Sequence, residues 1–287
     1  MTTQAPNGTS RPTTARGVTP RDPAAAAPAG RTILLRIKRC DGPGKASRWE
    51  TFPVRVEPGA NVISCLQLIA ANPVTVDGRR TTPVAWDSNC LEEVCGACTM
   101  VINGRVRQSC SCLIDAVAPA EGDTVTLEPM SKFPVVRDLW VDRSRLFQAM
   151  TRVKAWVPID GTYFQGPGPR EKPATQETRY KLSECMSCGC CLEACPQYNL
   201  EPDPDRWDTA FVGAHAISLA RLFNLHETGK ALAPDRLDTL MAPGGHSDCG
   251  NAQNCVKVCP KHIPLTESIG AIGRAITVHS IASFFRS

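Results

Sequence analysis

From residue 31 to about residue 129, short runs of apolar residues alternate with polar ones in the pattern of strands with one buried face. This pattern predicts strands over 32–37, 52–56, 99–102, 106–108 and 124–127, with Asn103-Gly104 as a two-residue hairpin turn. Val62, Cys65, Leu66 and Ile69 recur instead at helical spacing, in a segment that ends before Asn72-Pro73. The first half should therefore be one helix on a small mixed sheet. After Pro134 the period changes: Leu139, Val141, Leu146, Phe147, Met150 and Val153 predict a helix that stops near Pro158. Residues 161–178, rich in Gly and Pro, read as a loop. Helices are then expected over 177–184, 208–226, 234–241 and 265–284. The fold class is α+β, divided into 1–30 as a disordered tail, 31–135 as a sheet domain and 136–287 as an all-α domain.

A chain of 287 residues, 42% of them apolar, can bury two ordinary cores. Its formal charge of +4 is spread along the sequence, so nucleic acid is not an expected partner. No run of eighteen uncharged apolar residues exists; the most apolar late segment, 265–285, is interrupted by Glu267, Arg274 and His279. The first thirty residues mix Arg and Thr with Pro, Ala and Gly and carry no apolar leader core. Fifteen cysteines then change the picture. In a reducing compartment such cysteines are more often metal ligands than disulfides.

Cys90, Cys95 and Cys98 give C-x4-C-x2-C, the plant-type spacing for a 2Fe-2S cluster, and a distant fourth thiolate should close the site. Cys110 is taken for that position, with Cys112 as its rival, because spacing alone does not separate them. Cys185, Cys188, Cys191 and Cys195-Pro196 form the bacterial ferredoxin run C-x2-C-x2-C-x3-C-P, in which the last cysteine serves the other cluster. The partner run is Cys249, Ala252, Cys255 and Cys259-Pro260, with Ala where a ligand would stand. Crossed ligation assigns Cys185, Cys188, Cys191 and Cys259 to a 4Fe-4S cluster and leaves Cys195, Cys249 and Cys255 for a 3Fe-4S cluster. Structural zinc is the competing use of paired cysteines, but it gives no reason for two interlocked runs. Cys40, Cys65 and Cys190 read as small buried hydrophobes. The five histidines show no ligand pairing and read as surface or packing residues. No nucleophile, general base or nucleotide-binding glycine loop appears, so the chain should conduct electrons rather than break bonds.

Asn89-Cys90-Leu-Glu-Glu-Val-Cys95-Gly-Ala-Cys98 and the two interlocked runs resemble the iron-sulfur subunit of succinate:quinone oxidoreductases, the succinate dehydrogenase and fumarate reductase family. Segments 102–105, 127–130, 133–139, 154–156 and 259–264 extend the resemblance. It implies a β-grasp ferredoxin domain that holds the 2Fe-2S cluster against an FAD-containing flavoprotein subunit. It implies next a bacterial-ferredoxin-like helical domain facing a membrane anchor subunit, which would place the chain peripherally on the cytoplasmic face of the bacterial plasma membrane. Electrons would pass from FAD through 2Fe-2S, 4Fe-4S and 3Fe-4S to quinone, or in reverse; a subunit of another oxidoreductase with two ferredoxin runs is the alternative. Where ubiquinone-type relatives place Trp and His, this chain has Asn199, Leu200 and Gly250. That departure resembles members from menaquinone-using bacteria with a haem b-bearing anchor. Pro196, Gln197 and Tyr198 fall where the family approaches quinone, although a turn Pro and a packed Tyr explain the same letters.

Overall fold

The computed structural model describes residues 30–158 and 170–285. The expected tail lies outside them, Gly30 apart, as does much of the expected loop. Five strands, β1 (Arg31–Arg39), β2 (Arg48–Val56), β3 (Thr99–Ile102), β4 (Arg105–Gln108) and β5 (Thr124–Glu128), form one sheet in the order β2-β1-β5-β3-β4. β1 runs antiparallel to β2 and parallel to β5, while β3 is antiparallel to both β4 and β5. Alternation puts Ile33, Leu35 and Ile37 on one face, and all three are fully buried. Helix α1 (Val62–Ala71) turns Val62, Cys65, Leu66 and Ile69 into the same core. Its start is fixed by a reciprocal cap, in which Ser64 N donates to Asn61 Oδ1 and Asn61 N donates to Ser64 Oγ, both at 2.9 Å. Asn103 and Gly104 both have positive φ, 48° and 73°, the geometry that lets a two-residue turn follow the twist of β3 and β4. A short α2 (Ile114–Val117) precedes β5.

The helix expected from residue 139 begins only at Ser144. Residues before it form a two-stranded hairpin, β6 (Val135–Arg137) with β7 (Trp140–Val141). Asp138 explains the difference. It turns the chain at φ 49°, and its buried carboxylate accepts from Arg39 Nε at 2.8 Å, Cys40 N at 3.1 Å and Ala85 N at 2.9 Å. Leu139 belongs to the first core while Met130 and Phe133 belong to the second, so the two cores interleave around residue 135, where a boundary was expected.

The second half is helical: α3 (Ser144–Arg152), α4 (Pro173–Ser183), α5 (Cys190–Glu193), α6 (Gly213–Asn224), α7 (Ala233–Met241), α8 (Asn254–Lys257) and α9 (Leu265–Phe284). Helix α4 starts earlier than expected because Pro173 sits in its first turn, where a missing N–H costs nothing. Helix α6 starts later, at Gly213. Helix α9 packs along α6 and α7. Among the described residues no helix is long and apolar enough to cross a membrane.

Candidate metal centres

The loop before β3 is curled by three residues in the left-handed region, Leu91 (φ 61°), Glu93 (φ 55°) and Gly96 (φ 69°). Curling turns its amides inward. Glu92 N, Val94 N and Cys95 N approach Cys90 Sγ at 3.4, 3.3 and 3.3 Å, and Ala97 N approaches Cys95 Sγ at 3.4 Å. These N–H groups favour thiolate, and the amides of Glu92 and Val94 are the main cause that draws Cys90 down to about 7. Cys110 hydrogen-bonds Cys98 and feels the charge of Cys90, whereas Cys112 neighbours Cys65. The structure thus brings Cys90, Cys95, Cys98 and Cys110 together and turns Cys112 into the core under α1.

The two later runs fold as a repeat. Ser187 and Asn251 both have φ 51°, and Gly189 (φ 86°) and Gln253 (φ 59°) each precede a four-residue helix, α5 or α8. Ala252 therefore occupies the place in its run that Cys188 holds in the other. Cys259 lies within electrostatic reach of Cys185 and Cys191, not grouped with its own run, and Cys255 faces Cys195 and Cys249. One cavity is lined by Cys185, Cys188, Cys191 and Cys259, a second by Cys195, Cys249, Ala252 and Cys255. Cys191 is driven far above the ordinary thiol range, chiefly by burial and then by the charges of Cys188, Cys185 and Cys259. Such a set is stable as thiolates only when cationic metal shares the space, so the donor chemistry fits an iron-sulfur cluster. Among the described residues no group of three or more His, Cys, Asp or Glu converges closely enough to hold a single metal ion.

The three sets adjoin. A Cβ at Gly96 would lie 2.6 Å from both Cα and Cβ of Cys188, so the first loop rests directly on the second set. Arg143 Nη1 donates to Gly96 O at 2.9 Å, and Gln108 Nε2 on β4 reaches Cys190 Sγ at 3.3 Å. Cys190, read from sequence as a buried hydrophobe, is fully buried and its thiol also hydrogen-bonds Cys188. Gly96→Ala is expected to cost about 2–4 kcal/mol, from the left-handed backbone and from overpacking against Cys188. Thermal unfolding followed at the visible cluster absorbance checks this; a loss below about 1 kcal/mol would mean that the loop shifts from Cys188 and relaxes its backbone to take the methyl group.

Pro196 and Gln197 are exposed beside the third set, and a Cβ at Gly250 would meet Gln197 Nε2 at 2.6 Å. The glutamine amide fills the space that a side chain at 250 would take. Tyr198 corrects the sequence reading: it is fully buried, with Arg145 stacked on its ring at 4.1 Å and Phe133 at 5.9 Å, so it cannot face a ligand from the surface. His215, read from sequence as a surface or packing residue, is a buried residue of α6 on the wall of the cavity lined by Cys185, Cys188, Cys191 and Cys259. Its only signal was a lone imidazole inside an apolar helix.

Residues 34–148 match the family model of a 2Fe-2S iron-sulfur cluster binding domain, and residues 181–263 that of a 4Fe-4S dicluster domain. The chain is 51% identical over 257 residues to the succinate dehydrogenase iron-sulfur subunit of Bacillus subtilis (strain 168), which covers 90% of this chain and 97% of that one. The fumarate reductase iron-sulfur subunit of Wolinella succinogenes is 26% identical over 249 residues, covering 85% and 97%. A chain of the solved Mycobacterium smegmatis Sdh1 complex in the apo form shares the fold, with a TM-score of 0.67 at 23% identity over 86% of this chain and 96% of that one.

Proposed function

The chain belongs to the iron-sulfur subunits of succinate dehydrogenase and fumarate reductase, and from that premise we propose how its residues divide the work of carrying electrons. Cys90, Cys95, Cys98 and Cys110 would hold the 2Fe-2S cluster; Cys185, Cys188, Cys191 and Cys259 the 4Fe-4S cluster; Cys195, Cys249 and Cys255 a 3Fe-4S cluster. Bound, the clusters supply one-electron redox chemistry. The protein's residues insulate, space and tune them.

One observation carries this reading. The second set touches the first where Gly96 meets Cys188 and adjoins the third where Cys191 feels the charge of Cys255, while the first and third sets lie beside exposed loops. At one end Leu91 and Val94 are 48% and 59% exposed, apolar contacts suited to a flavoprotein carrying FAD. At the other, residues 250–253 are all exposed beside Pro196 and Gln197, suited to quinone and a membrane anchor. Gly250, Asn199 and Leu200 support menaquinone and a haem b-bearing anchor through the resemblance described above. The chain would sit peripherally on the cytoplasmic face of the plasma membrane. The two-domain division at about residue 135 is kept as part of this proposal, with the β6–β7 hairpin as the hinge region between cores.

EPR of the purified complex tests the assignment. Two signals in the reduced state and one 3Fe signal in the oxidised state are expected. A spectrum without the oxidised signal, or zinc with little iron by metal analysis, contradicts it.

A further inference from the structure

His215 is 2% exposed and lines the cavity formed by Cys185, Cys188, Cys191 and Cys259. Its Nε2 lies 3.0 Å from Ser187 Oγ, and its Nδ1 is buried with no partner among the described residues. Buried polar atoms are nearly always paired, so an orphan on a cavity wall points to a group in that cavity. Two tautomers are open to the ring. If Nε2–H donates to Ser187, Nδ1 offers a lone pair to the cavity. If Ser187 O–H donates to Nε2, Nδ1 carries the proton and offers a donor.

The chemistry of the cavity decides between them. Thiolates and the sulfides of a cluster accept hydrogen bonds and donate none, so only the Nδ1–H tautomer is satisfied there. This choice turns the Ser187 hydroxyl away from Cys185, which keeps the backbone N–H of Ser187, the larger of the two contacts. We propose that His215 is a positioning and tuning residue whose Nδ1–H hydrogen-bonds sulfur of the cluster held by Cys185, Cys188, Cys191 and Cys259, with Ser187 fixing the tautomer. The inference rests on the assignment of a 4Fe-4S cluster to that set. A donor aimed at sulfur stabilises the more negative, reduced form and raises the potential.

The test uses the purified complex. His215→Leu is expected to lower the reduced-to-oxidised ratio of this cluster about tenfold at a given ambient potential, a shift of about 59 mV for one electron. His215→Asn, which keeps an N–H near the Nδ1 position, should restore most of it, and the other two clusters should not move. An unchanged midpoint in the Leu variant, with iron content intact, overturns the proposal, as does an equal shift of all three clusters. Should the Leu variant fail to assemble, selective 15N-histidine labelling of the parent complex replaces it. Hyperfine spectroscopy of the reduced cluster should then show an imidazole nitrogen coupling that His215→Asn removes, and its absence overturns the hydrogen bond. A parent complex that lacks the 4Fe-4S signal would instead refute the cluster assignment itself.

Discussion

Replacing Arg39 with alanine is expected to cost about 3–5 kcal/mol of folding free energy, the loss that follows when one member of a buried ion network is removed. The Arg39 side chain is fully buried, with Nη1 2.6 Å from Glu50 Oε2 and Nε 2.8 Å from Asp138 Oδ1. Its Nη2 reaches Thr82 Oγ1 at 3.1 Å and Pro83 O at 3.3 Å. Glu50 and Asp138 are themselves 1% and 0% exposed, so truncation removes the buried cation they share and leaves Glu50 to Arg48 and Arg79 at 3.2 and 3.3 Å and Asp138 to the amides of Cys40 and Ala85. The contacts span the sheet domain, since Arg39 ends β1, Glu50 lies on β2 and Asp138 turns the β6–β7 hairpin. Urea unfolding followed by circular dichroism checks the magnitude. A loss below about 1 kcal/mol would mean that water reaches the freed carboxylates.

The same residue shows what the sequence could and could not reveal. Alternation marked β1 because one face of the sheet is buried, and the stretch from Leu265 to Phe284 was legible to the residue because a long period of 3.6 has few competitors. Leu139 and Val141 fitted that period too. They lie instead beside a turn fixed by Arg39, about a hundred residues earlier, a tertiary bond that no local pattern records. The cysteine runs were readable because ligand spacing is a local rule, and the proposed crossing of Cys259 rests on it, with Cys259 lying near Cys185 and Cys191. Cys110 and Cys112 were not separable, because what distinguishes them is that Cys112 O accepts from Val62 N at 3.1 Å and its thiol neighbours Cys65. His215 was invisible for a similar reason: only its surroundings show that one ring nitrogen has no partner.

On the proposed assignment of a 3Fe-4S cluster to Cys195, Cys249 and Cys255, Ala252→Cys is expected to change that cluster itself. In the folded repeat Ala252 stands where Cys188 stands, between residues of matching left-handed backbone, Asn251 at φ 51° and Gln253 at φ 59°. A thiol there would face the cavity of Cys195, Cys249 and Cys255 and complete a set of four. Four thiolates retain a fourth iron, so the oxidised 3Fe EPR signal should disappear and a reduced-state signal should replace it. The added thiolate and the changed cluster charge should lower the potential by on the order of 100 mV, a modest step within the range that cluster type and charge cover. Electrons would then have a poorer path to quinone but an unaltered one to a dye that takes them earlier. Succinate-dependent quinone reduction is therefore expected to fall about tenfold or more while dye reduction holds, since each 59 mV is a factor of ten for one electron. Because residues 250–253 are exposed, folding should tolerate the change. If the oxidised signal persists and the new thiol reacts freely with alkylating reagent, position 252 does not face the cluster, and the reading of alanine as a withdrawn ligand fails. If the parent protein never shows that signal, the third set already has a fourth ligand from elsewhere in the chain, and the variant should leave both rates unchanged.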